Sequence, residues 1–232
     1  MAEDVYRLAL LAKAMDEAGI EWWLDHGTLL GITREGRLLP WDEDVDLSIH
    51  HDQFEDTLSV ISDLRDLIGG RIVHTARNVK ILPWDAGQRV IDIGAYREVD
   101  AESVVKTLVM FPRTPGLRAG RLRRWTWRRL RSIETRLNQR HVSNRRSPTA
   151  RPSPLLVHLA RVREAVGVPH SSTVPRDHFT PIARRTWRGL ELPVPHDPEG
   201  YLEFRYGPDW RTPQESWLWW QADRSVRATR KA

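Results

Sequence analysis

Apolar positions in this chain change period several times, and each change marks out an element. Over residues 3–18, Val5, Leu8, Leu11, Ala12 and Met15 recur at intervals of three and four, which is one face of a helix, and Gly19 follows as a stop. Residues 21–24 read as a short strand leading to a Gly27-Thr28 turn, and residues 28–34 as a short helix. From 44 to 49, Asp-Val-Asp-Leu-Ser-Ile alternates strictly, the pattern of a half-buried strand. Helical spacing returns over 52–68, with Phe54, Leu58, Ile61, Leu64 and Ile68 on one side and Gly69-Gly70 as the end. Three short β-rich runs follow at 71–75, 79–82 and 89–93, and 186–192 reads as another strand. The expected fold is α+β, a small mixed β-sheet flanked by helices.

Charge alters this picture in the middle of the chain. Residues 113–151 hold thirteen arginines against one acid, Glu134, so with a net charge of +5 over 232 residues the remainder is net acidic. The basicity of the chain is therefore a property of that segment. Residues 118–140 can be drawn as a helix with Leu122, Trp125, Leu130, Ile133 and Leu137 within a wide arc, and Arg129, Arg136 and Arg140 on or beside it. A loop rich in Ser, Pro and Arg follows at 143–154, then a further short helix at 155–166. Three readings stand for the segment. It packs its apolar stripe on the core and solvates its arginines, it meets anionic membrane headgroups or lipid-linked acceptors, or it binds nucleic acid, for which no recognised module is present. The expected organisation is a catalytic core over 1–111, a basic, mainly helical insertion over 112–185, and a C-terminal block over 186–232 that packs back on the core. In that last block Tyr201, Phe204 and Tyr206 read as anchors, and Trp217, Trp219 and Trp220 continue the packing or line an acceptor groove.

With no cysteine, disulfides, thiolate metal sites and cysteine nucleophiles are excluded. Acids stand near the start where a secretory leader carries bases, and no run of ~18 apolar residues occurs. The expectation is a cytoplasmic protein and, on the membrane reading of the basic segment, one peripheral at the inner membrane face.

The chemistry concentrates in residues 25–50, DHGTLLGITREGRLLPWDEDVDLSIH, which carry three alternating carboxylates, Asp42, Asp44 and Asp46. Strand alternation points Asp44 and Asp46 to one face, where they repel unless a cation lies between them. Mg²⁺ suits such a site because it takes hard oxygen ligands and is commonly shared with substrate phosphates. A Gly27-Thr28 turn offers backbone N–H groups and a hydroxyl to a phosphate, although Thr28 also fits a plain N-cap. Asp92, in Val-Ile-Asp-Ile, is a charge among apolar neighbours and calls for a cation or an arginine partner. Lys80, on the preceding run, either reaches a phosphate or is solvated. His26 reads as structural, and His158, His170 and His178 follow no metal-ligand spacing.

These residues resemble the LicD family, the phosphocholine and phospho-alditol transferases that include fukutin-like proteins and belong to the nucleotidyltransferase superfamily. The resemblance rests on GTLLG, the basic Arg34, LLPWDEDVDLSI, and a distal block at 192–213 similar to that family's YL-x-x-x-YG-x-x-W-x-x-P pattern. It implies a nucleotidyltransferase-like sheet and Mg²⁺ (or Mn²⁺) on Asp44 and Asp46, with Asp92 as third ligand or as base. Gly27, Thr28, Arg34 and Lys80 are then contacts to a CDP-linked donor. It further implies transfer of a phosphocholine or phospho-alditol group to a hydroxyl of a cell-surface glycan or its lipid-linked precursor. Two other functions fit the residues: a minimal nucleotidyltransferase that moves NMP to a small molecule or protein, and a non-catalytic protein that binds nucleotide or docks on membrane or nucleic acid.

Overall fold

The computed structural model describes residues 2–75, 77–85, 87–110, 168–214 and 226–228, together with Leu122, Trp125, Thr126, Arg129, Leu130, Ile133 and Val162. Helix α1 (Ala2–Glu17) buries Leu8, Leu11 and Met15 completely, the face that the spacing predicts. Strand β1 (Trp22–Leu24) follows, then helix α2 (His26–Glu35) and strand β2 (Asp44–His50). The helix expected over 52–68 is broken. A 3₁₀ turn (His51–Gln53) leads into α3 (Phe54–Asp63), and Leu64, whose ψ of −2° departs from helical geometry, separates it from α4 (Arg65–Ile68). Gly69 ends α4 in the left-handed region at φ 65°, where a side chain would be strained.

Strands β3 (Gly70–His74), β4 (Asn78–Pro83), β5 (Val90–Glu98), β6 (Ser103–Met110), β7 (Val168–Pro175) and, near the end, β10 (Val226–Ala228) complete the main sheet. Among the described residues it has eight strands, in the order β1-β2-β5-β6-β7-β10, with β4 also on β5 and β3 on β4. The class is the expected α+β with a mixed sheet, but the sheet is larger than the short runs suggested. β5 is its junction. All of β2 pairs with it in parallel, β4 lies antiparallel on its first half, and β6 pairs with its end at Arg97 and Glu98. A parallel pair needs a crossover, and α3 and α4 lie on that route. β7 lies inside the segment expected to be mainly helical. It carries Val168 to Pro175 along the whole of β6, from Met110 to Ser103. The helices expected over 118–140 and 155–166 and the cluster Trp217, Trp219 and Trp220 lie largely or wholly outside the described residues.

Alternation on the paired strands separates two faces. Val45, Leu47 and Ile49 of β2 and Ile91, Ile93 and Ala95 of β5 are buried in one cluster with Leu8, Leu11, Leu58 and Ile61. Each of the Val, Leu and Ile side chains contributes about 1.5–3 kcal/mol on burial, so this face anchors the sheet. The opposite face carries Asp44, Asp46 and Ser48 beside Val90, Asp92 and Gly94.

The single strand expected over 186–192 is a hairpin, β8 (Ala183–Trp187) and β9 (Leu190–Val194). Its two turn residues, Arg188 and Gly189, have φ of 51° and 79°, the double left-handed turn that matches strand twist. Helix α5 (Pro198–Tyr206) then starts on Asp197, whose carboxylate accepts from the Gly200 N–H, with Pro198 at its first position.

Candidate active site

The polar face of β2 is positioned by the start of α2. Asp25 caps that helix, its Oδ1 accepting from the His26 N–H at 2.7 Å, while its own N–H donates to the Asp46 carbonyl at 3.1 Å. The Asp46 N–H donates to Thr28 Oγ1 at 2.8 Å, so Thr28 is buried in the first turn of α2, clamping Asp46, and the N-cap is Asp25. Gly27 stands in the same turn. A Cβ there would collide with Asp42 Oδ2, so the close approach of a carboxylate requires glycine at this position.

Asp42, Asp44 and Asp46 each offer a carboxylate oxygen, and these oxygens lie within 4.8 Å of one another. The loop that presents Asp42 is held by Arg89, which donates to the carbonyls of Asp42 at 3.0 Å and Leu39 at 2.9 Å and pairs with buried Asp4 at 3.0 Å. Burial, reinforced by the charge and hydrogen bond of Asp44, pushes the Asp42 carboxyl up to about 7. Burial and the charges of Asp44 and Asp92 push Asp46 well above the usual carboxylate range. Three crowded carboxylates, two of them with raised proton affinity, could hold a hard divalent cation, which would relieve their repulsion.

Asp92 sits directly across from Asp46 in the β2/β5 register, and Lys80 directly across from Asp92 on β4. Asn78 and Lys80 both donate to the Asp92 carboxylate. Burial pulls the Lys80 ammonium down, but Asp92, Asp44 and Asp46 outweigh it and raise it. The row Asp46, Asp92, Lys80 thus joins the sequence-predicted residues, with Gly27 and Thr28 at one end. Arg34 is not brought to it. Its side chain is 7% exposed, donating to the Trp210 carbonyl at 3.2 Å and to Glu35 at 2.7 Å, and it fastens α2 to the C-terminal block. Trp187 reinforces that seam through the Gly36 carbonyl at 2.8 Å.

A second polar cluster lies beside the first, and sequence reasoning missed most of it. Asp25 is completely buried and accepts from Tyr201 at 2.6 Å, Ser48 at 2.7 Å, Tyr96 at 3.3 Å and Arg205 at 3.3 Å, with Lys106 at 3.6 Å. Burial opposes its charge; His26, Lys106, Arg205 and the Tyr201 hydroxyl outweigh burial and hold it well below the usual range. His26 itself is held well below its ordinary value by burial and by Arg205 and Lys106, Asp25 opposing, so it is neutral at pH 7. At that pH the countercharges are Lys106 and Arg205, and Lys106 donates to His26 Nε2 at 2.9 Å. Gly94 leaves the space that the Lys106 side chain crosses, since a Cβ there would strike Lys106 Cε and Nζ. The hydroxyl of Tyr201, an anchor of the C-terminal block, fastens that block to Asp25. The argument that singles out Asp92, a charge inside an apolar strand, applies equally to Lys106 in Val-Val-Lys-Thr-Leu-Val.

Comparisons with known proteins bear on the first cluster. Residues 19–75 match the nucleotidyltransferase domain of LicD/FKTN/FKRP. The ribitol 5-phosphate transferases FKRP of mouse and human are each 50% identical to this chain over 36 residues, 16% of this chain and 7% of the relative. The match therefore spans only a small part of those proteins. Among solved structures, the lincomycin-bound lincosamide antibiotic adenylyltransferase LnuA superposes with a TM-score of 0.40 at 12% identity, covering 82% of this chain and 78% of that one. The antibiotic-resistance factor ANT(2'')-Ia gives 0.33 at 15% identity, covering 70% and 87%. Likenesses this distant decide nothing about chemistry. The sequence match is the more specific, and it falls on the stretch that contains Asp25, Gly27, Thr28 and the three clustered carboxylates: residues 19–75 are similar to the LicD/FKTN/FKRP nucleotidyltransferase domain.

Proposed function

We propose that the chain is a LicD-type phosphotransferase that passes a phosphocholine or phospho-alditol group from a CDP-activated donor to a hydroxyl of a cell-surface glycan or its lipid-linked precursor. The observation that carries this reading is the trio Asp42, Asp44 and Asp46, with carboxylate oxygens within 4.8 Å, inside the matched domain. The phospho-alditol donor is favoured by the relatives, whose name is that of ribitol 5-phosphate transferases.

Asp42, Asp44 and Asp46 would hold Mg²⁺ or Mn²⁺, which supplies neutralisation of the charge that develops on a transferring phosphoryl group. Gly27 keeps the Asp42 carboxylate in place, Arg89 fixes its loop, and Thr28 fixes the backbone of Asp46. Asp92 falls outside the clustered trio and is assigned the proton of the attacking hydroxyl. The acceptor oxygen bonds to the donor's phosphorus as the bond to CMP breaks, and the hydroxyl proton passes to Asp92 Oδ. Lys80, whose side chain is 42% exposed beside Asp92, is assigned a donor phosphate oxygen. Most of the rate enhancement is then positioning and electrostatics.

A thermal-shift screen of CDP-choline, CDP-ribitol, CDP-glycerol and NTPs, each with and without Mg²⁺, tests the reading, because a ligand that binds the native state raises its melting point. A cation-dependent rise with one CDP-linked compound is expected. A rise with NTPs alone would point instead to NMP transfer, and no rise with any nucleotide would overturn the proposal.

A further inference from the structure

The helical residues described within the arginine-rich segment show where its apolar side chains are. Leu122, Trp125, Arg129 and Ile133 follow at steps of three, four and four, so they share one helix face. A helix packed on the core would bury that stripe. Instead Leu122 is 75% exposed, Trp125 57% and Ile133 44%. The Arg129 guanidinium lies 5.6 Å from the Trp125 ring, leaving a cation beside the apolar stripe. The surrounding sequence is strongly cationic, with thirteen arginines and one acid in residues 113–151.

We infer that this face is a docking surface for an anionic phospholipid bilayer, independently of which reaction the carboxylate site performs. Two requirements select the occupant. Exposed Leu, Trp and Ile on one face need an apolar phase to enter, and the arginines need anions at the level where that phase ends. The headgroup region of an anionic leaflet supplies both within the depth of one helix, with tryptophan at the boundary. A nucleic acid answers the arginines but has no use for an aliphatic stripe. The net acidic remainder of the chain would be repelled by the same surface, which orients the protein with this segment toward the lipid.

The test is co-sedimentation of the full chain with vesicles of phosphatidylcholine alone and of phosphatidylcholine with phosphatidylserine, at low and high salt. Binding to the anionic vesicles is expected, and it should fall with salt and be about tenfold or more weaker on the neutral ones. Arg129→Gln should weaken it about fivefold. The triple variant Leu122→Ser, Trp125→Ser, Ile133→Ser should lose more than about tenfold with an unchanged melting temperature, because the replaced side chains are solvent-exposed. Trp125→Ser alone, compared with the unaltered chain for fluorescence quenching by brominated lipid, gives a second reading that survives a misfolded triple variant. Absence of binding to anionic vesicles at low salt, equal binding to both vesicle types, or an unaffected triple variant would each overturn the inference. Tight oligonucleotide binding without vesicle binding would overturn it in favour of nucleic acid.

Discussion

Replacing Asp42 by Asn should make the metal-free protein more stable at pH 8 and leave it unchanged at about pH 3, below the ordinary carboxylate value. The native Asp42 carboxyl is pushed from its ordinary 3.8 up to about 7 by burial and by Asp44. A carboxyl that binds its proton more tightly folded than unfolded loses stability as pH climbs from the unfolded value to the folded one, here between about 4 and 7. Some three units at 1.36 kcal/mol each set a ceiling of about 4 kcal/mol. Asp42 is only partly buried and the repulsion is shared with Asp44, so about 2 kcal/mol is the expected gain. For a chain of 232 residues this corresponds to a rise of about 4–8 °C in Tm. The assay is calorimetry in EDTA at both pH values. Asn closely matches the shape of a protonated carboxyl, so the two proteins should coincide at about pH 3, where Asp42 is protonated both folded and unfolded. Adding Mg²⁺ and a CDP-linked donor at pH 8 should then raise the melting temperature of the wild type and not of the variant. A variant that melts below the wild type at pH 8 in EDTA, or a difference that ignores pH, would refute the repulsion on which the site's reading depends.

Other substitutions test the supports of the site. Asp25→Ala leaves the Arg205 and Lys106 charges buried without their carboxylate, and urea unfolding should show a loss of about 3–5 kcal/mol. Gly27→Ala drives a methyl group into Asp42 Oδ2, so calorimetric titration with Mg²⁺ and donor should show affinity down by about tenfold or more, while the fold melts within a few degrees of the wild type. Thr28→Val removes the acceptor of the Asp46 N–H in a buried setting, and should cost about 1–3 kcal/mol in urea with a raised requirement for metal.

What the sequence by itself determined was local. Strict alternation put Asp44 and Asp46 on the face opposite Val45, Leu47 and Ile49, and helical spacing picked the buried side of α1, because a side chain's direction follows from its place in a regular element. The Gly-Thr and Pro-Trp-Asp motifs pointed to the family whose nucleotidyltransferase domain matches residues 19–75. Strand lengths and hairpins were underestimated, since β6 and β7 stabilise each other by cross-strand pairing, which no single run displays. Only the tertiary structure decided which residues meet. It set Asp92 opposite Asp46, gave Asp92 to Asn78 and Lys80, and turned Arg34 toward Trp210. It brought Tyr201 and Arg205 from the distal block, and Lys106 from β6, onto Asp25 at the head of α2. These contacts join residues up to 180 positions apart in the chain, and their strength comes from shared burial, which exists only once the chain has closed on itself.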